Sequence, residues 1–96
     1  MILVDQPRWR WQGRYWSHLV SDRSYEELHR FAADLGIPRP AFQGDHYDLP
    51  SDYRSQALEL GAHPVDSREL VARLRAAGLR LSPADRRARS GRANAG

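Results

Sequence analysis

The 96-residue sequence contains neither cysteine nor lysine. Without cysteine there are no disulfides and no thiolate metal sites. Without lysine, all fifteen basic residues are arginine, a bias that a GC-rich genome accounts for. Long apolar runs are also missing. The opening Met1-Ile2-Leu3-Val4 is stopped by Asp5. That run is too short for a signal peptide or a membrane span, and the expectation is a cytoplasmic protein without a membrane partner.

A strongly basic body is absent too, despite the net charge of +3. Residues 82–96 hold four arginines against one aspartate, which leaves eleven arginines and eleven carboxylates in residues 1–81. Charge balance therefore argues against a body built to grip duplex nucleic acid. The expected division is a compact domain over residues 1–81 and a disordered, Arg-rich tail over 82–96, with no periodicity and nothing to build a core from.

Within the body, residues 1–5 read as a short buried strand. Residues 6–16 hold all three tryptophans, Trp9, Trp11 and Trp16, alternating with arginines. Such a stretch either stacks on bases and cradles phosphates or serves as a flap whose indoles cover one end of a small core. Residues 16–21 form a second strand, with Trp16, His18 and Val20 on one face. The first helix is announced by a Ser24–Glu27 capping box and by Tyr25, Leu28, Phe31, Ala32 and Leu35 on one side, and it ends at Gly36. His29 falls at the edge of that stripe. Residues 40–43 are expected as a third, very short strand.

Ser51 is the expected N-cap of a second helix, Ala62–Val65 a fourth strand, and Asp66 the cap of a third helix carrying Leu70, Val71 and Leu74. Leu79 and Leu81 add a last strand or dock on the core. The predicted fold is α/β: a small, three-layer-like single domain with a short, mainly parallel sheet and about three helices. Parallel sheets place their sites beyond the carboxyl ends of their strands, where Asp5, Asp22, Asp45 with Asp48, and Asp66 would fall.

The stretch Asp45-His46-Tyr47-Asp48, bracketed by Gly44 and Pro50, is the densest in groups that move a proton or hold a metal. In extended chain His46 and Asp48 point one way and Asp45 and Tyr47 the other. His46 and Asp48 then form an oriented imidazole–carboxylate pair suited to general-base work, or two metal ligands. No metalloprotease, nucleophile-elbow or phosphate-loop motif accompanies them.

Taken together, Val4-Asp5, Trp16-Ser17-His18-Leu19, Glu27-Leu28-His29, Asp45-His46-Tyr47-Asp48 and Arg68-Glu69-Leu70 resemble a small bacterial family, domain of unknown function 4031. The resemblance covers about residues 1–80. It implies a compact bacterial domain of the kind found in actinobacteria and their phages, and it carries no activity. Three functional readings stand. One is an enzyme dependent on a divalent metal or a His/Asp pair and acting on a phosphate-containing substrate, a nucleotide or nucleic acid. Its catalytic residues are His46, Asp48, His18 and Asp5, its metal ligands Asp45, His46 and Asp48, and its substrate contacts Trp9, Trp16, Tyr47, Arg54 and Arg68. The alternatives are a non-catalytic module that binds a nucleotide, nucleic acid or protein, and a scaffold in which the polar motif is structural.

Overall fold

The computed structural model describes residues 1–82, so the Arg-rich segment that follows Ser82 lies outside the described residues. The sheet assembles on β3 (Arg14–Ser21). Along one edge of it run β1 (Ile2–Val4) and then β2 (Trp9–Trp11), both antiparallel. Along the other edge runs β4 (Tyr47–Pro50), also antiparallel. The register puts the two edges on opposite sides, since Leu19 faces both Val4 and Tyr47. Beyond β1 lies β5 (His63–Pro64), which is parallel to it.

The sheet is therefore mostly antiparallel, which corrects the mainly parallel arrangement expected from the sequence. The reason lies in the connections. β2 and β3 are joined by a tight hairpin at Gln12-Gly13, whose φ angles of 52° and 73° both lie in the left-handed region, as a type I′ turn requires. After α1 (Tyr25–Asp34) a long connection with a 3-10 turn at Arg39–Ala41 returns the chain to the end of β3 that it left. Tyr47 consequently starts β4 opposite Leu19, and the strand enters reversed. Residues 40–43, expected as a strand, form this turn and a single bridge from Phe42 to Tyr47.

A bulge interrupts the long hairpin where it matters for the site. Val4 faces Leu19, yet Trp9 faces Trp16. Five steps on one strand thus match three on the other, and Gln6 and Pro7 are the surplus. The ladder resumes on either side, with Asp5 N–H donating to the His18 carbonyl at 3.2 Å and Arg8 N–H to that of Trp16 at 3.1 Å. Bulges bend a strand and re-aim side chains; here the bend sets Asp5 against His18.

Helices cover both faces. On one, Ile2, Val4, Leu19 and Leu49 pack with Leu28 and Ala32 of α1, its C-cap Leu35, and Ala57 of α2 (Ser51–Glu59). On the other, Leu3 and Val20 pack with Leu70 and Leu74 of α3 (Ser67–Ala76). The alternation along β3 assigns the even positions to the second face. Past Val20, that face continues through His18 to Trp16. The caps of α1 and α3 form as read, with Ser24 accepting from Glu27 N–H and Asp66 from Glu69 N–H. Ser51 is instead the first residue of α2, Pro50 occupies the cap position, and no side chain caps that helix. Leu79 docks on the cluster of Leu3, Val20, Leu70 and Leu74 and forms no strand. Among the described residues, no helix is long and apolar enough to cross a membrane.

Candidate metal site

Asp5 directly follows β1 and is only 1% exposed. Its Oδ1 accepts from the His18 backbone N–H at 2.6 Å, and its Oδ2 from His18 Nδ1 at 2.8 Å and from the Ser67 hydroxyl at 2.9 Å. Burial pushes this carboxyl up, but the two His18 hydrogen bonds, the His18 charge and Ser67 outweigh it and hold Asp5 below its ordinary value. With an ionised carboxylate against Nδ1, the His18 ring keeps its proton on that nitrogen. Its Nε2 then carries the lone pair when the ring is neutral.

A second pair repeats the pattern. Asp45 is fully buried, and its Oδ1 meets His46 Nδ1 at 2.7 Å. Its Oδ2 accepts from Leu81 N–H at 3.0 Å and lies 3.6 Å from Arg80. The other ring nitrogen of His46, Nε2, is 3.0 Å from Asp48 Oδ1. Burial alone would lower the His46 pKa; the hydrogen bonds and charges of Asp45 and Asp48 reverse that and raise it above 6.5. Each ring nitrogen of His46 thus faces a carboxylate oxygen, an arrangement that favours the charged ring over the neutral one.

Register brings the two pairs together. His18 of β3 stands directly opposite Asp48 of β4. The His18 and His46 rings meet edge to face with centroids 5.1 Å apart. One ligand atom from each of His18, His46 and Asp48 lies within 4.8 Å of the other two. Two imidazoles, each oriented at Nδ1 by a buried carboxylate, and one further carboxylate make a donor set suited to a divalent first-row cation.

Beside this cluster lies a cavity of about 120 Å³ between α3 and the sheet. Asp5, His18, His46, Ser67 and Arg80 line one part of it, and Val20, Leu70, Val71 and Leu74 the other. Trp9 packs against the His18 ring, with centroids 4.5 Å apart and planes 34° apart. Trp16 donates its indole N–H to the Trp11 carbonyl at 2.9 Å, and Trp11 stands 57% exposed at the hairpin tip.

The structure thus gathers Asp5, His18, Asp45, His46, Asp48 and Trp9 at one place and sets the other candidates apart. Tyr47 points through the sheet to the opposite face, where its hydroxyl meets His29 Nδ1 at 2.7 Å. Arg54 reaches the site only through its Nε, which donates to the Asp5 carbonyl at 3.1 Å and so fixes the end of β1. Arg68 is exposed on α3 and does not line the cavity. Trp16 belongs to the hairpin beyond Trp9. The carboxyl-end rule applies only to the parallel β1–β5 pair: Asp22 follows the C-terminal end of β3, where it pairs with Arg73, away from the site. Asp45 orients His46 and is not one of the three converging groups. Sequence reasoning missed Ser67 and Arg80. Ser67 sits directly after a recognisable cap, whereas Arg80, between two leucines, carries no signal in the sequence.

No curated protein and no solved structure matches the chain. The family model described as protein of unknown function (DUF4031) matches residues 2–77, a span that includes every residue of the cluster. The chain belongs to the DUF4031 family of proteins of unknown function.

Proposed function

We propose that this protein is a divalent-metal-dependent enzyme acting on a phosphate-containing substrate, with His18, His46 and Asp48 as metal ligands. The observation that carries the proposal is the convergence of these three donors while Asp5 and Asp45 hold the two Nδ1 atoms. Three protein ligands leave coordination positions for water and substrate. A cation held there supplies Lewis acidity and an acidified water. The chain's own residues divide the remaining work. Asp5 and Asp45 keep the two imidazoles in the tautomer that presents Nε2. Ser67 and Arg54 hold Asp5 through its carboxylate and its carbonyl. Arg80 contributes the cation on the cavity wall that faces an anionic group. Trp9 screens one side of His18 from water.

The test is titration of the purified chain with zinc and manganese, followed by measurement of phosphate release from a panel of alkyl, aryl and nucleoside phosphates. The proposal expects metal-dependent turnover that His46→Ala abolishes. Failure of every divalent metal to bind would reject it. A non-catalytic binding module is the second reading, favoured by the exposure of Trp11 next to Arg14. It expects ligand binding with neither metal nor turnover.

A further inference from the structure

The cavity has two chemical halves, and their order constrains what enters it. Its polar half is bounded by the two histidines of the cluster, Asp5, Ser67 and Arg80. Its other half is wholly aliphatic: Val20 from β3 and Leu70, Val71 and Leu74 from α3. The cavity is small beside the usual site for a ligand the size of a nucleotide. Sites for drug-sized ligands run from about 300 Å³ upward, against about 120 Å³ here. A cavity of about 150 Å³ holds a benzene ring, so this one takes a body of roughly four carbons.

We propose that the cavity is the substrate-body subsite of the metal centre, and that its ligand is a small organic phosphate or phosphonate with a short unbranched apolar chain. The anionic head sits between His18, His46 and Arg80, and the chain lies along Val20, Leu70, Val71 and Leu74. Arg80 suits the head because its ion pair to Asp45 is long, at 3.6 Å. The aliphatic wall suits the chain because it offers no donor or acceptor for a ribose or a base to pair with, and unpaired polar groups there are costly. This inference rests on the metal reading and narrows its substrate class from phosphate-containing compounds in general to small alkyl phosphates and phosphonates.

The experiment titrates the zinc-loaded chain with inorganic phosphate and with linear phosphonates from methyl to hexyl. Each methylene buried should tighten binding about fourfold, and the gain should stop near butyl, where the cavity is full. Val71 is half-buried on the cavity wall, so Val71→Phe fills the space without opening the core. That variant should bind zinc and inorganic phosphate as wild type does and lose the dependence on chain length. Val71→Leu, a smaller change should the first variant fold poorly, should bring the plateau about one methylene earlier. Wild type that binds phosphate and every phosphonate equally well would overturn the subsite and leave the metal centre standing. So would a chain-length dependence that survives in Val71→Phe. Absence of zinc binding would remove the metal centre itself and the subsite with it.

Discussion

Replacing Asp5 by asparagine probes the link between fold and site, because the side chain keeps its shape and loses an acceptor. The carbonyl oxygen of the new amide takes over the bond from the His18 backbone N–H, which is 2.6 Å long in the wild type. The amide NH2 then replaces Oδ2, which accepts from both His18 Nδ1 and the Ser67 hydroxyl. Ser67 rotates and accepts. His18 has to move its proton from Nδ1 to Nε2 to accept as well. A charge-assisted bond worth about 1.5–3 kcal/mol gives way to a neutral one worth about 0.5–1.5, for a net cost of about 1–2 kcal/mol. For a domain of this size that is a fall in Tm of roughly 5–15 °C. The same proton shift covers the nitrogen that would face the metal, and losing an orienting partner weakens metal affinity by about 10–100-fold. The pH dependence has a definite sign. Asp5 is held below 3.8 in the folded state, so its contribution is present above that pH and lost as pH falls through the folded value. Asp5→Asn should therefore flatten the acid limb of the stability curve. Melts followed by circular dichroism from pH 2 to 7, with zinc calorimetry at pH 7, read all three effects. A variant that melts within a degree or two of wild type and binds zinc equally well would refute the reasoning.

Other expectations follow from single contacts. Ser17 is fully buried and its hydroxyl has no hydrogen-bond partner among the described residues, so Ser17→Ala should be neutral or stabilise by about 1 kcal/mol in urea titrations. Ending the chain after Ser82 should leave Tm nearly unchanged. Ending it after Gly78 should lower Tm by more than about 5 °C, because Tyr25 loses the Leu79 carbonyl and Asp45 loses Leu81 N–H and Arg80. Burial, with the nearby Arg39 charge, holds His29 below 6.5. The unfolded chain then binds a proton that the fold refuses, so stability falls as pH drops through that window. His29→Gln, compared with wild type between pH 7 and 5, should lose less.

The helices were legible because their signals are local. Ser24 with Glu27 and Asp66 with Glu69 announce two N-termini within four residues each, and both caps form as read. Strand direction was not legible, because it depends on where a connection ends. The turn at Gln12-Gly13 lacks the asparagine that marks a type I′ hairpin, so in the sequence the Trp-Arg-Trp alternation reads as a flap, whereas in the structure it forms β2. Alternation was enough to put His46 and Asp48 on one side and Tyr47 on the other. It could not show that Asp45, one residue away, turns back onto His46 Nδ1. The pairing of Asp5 with His18 depends on a bulge at Gln6-Pro7, and the placement of Arg80 on a segment that docks after α3; neither has a periodic signature.

The central claim is that His18, His46 and Asp48 hold one divalent cation. Isothermal titration of the chain with zinc, run in parallel on His18→Ala, His46→Ala and Asp48→Ala, tests it most directly. The account predicts one ion per wild-type chain, proton release on binding as Nε2 of His46 gives up its hydrogen, and loss of the site in each variant. A wild type that takes up no zinc, or zinc binding that persists unchanged in both histidine variants, would contradict it.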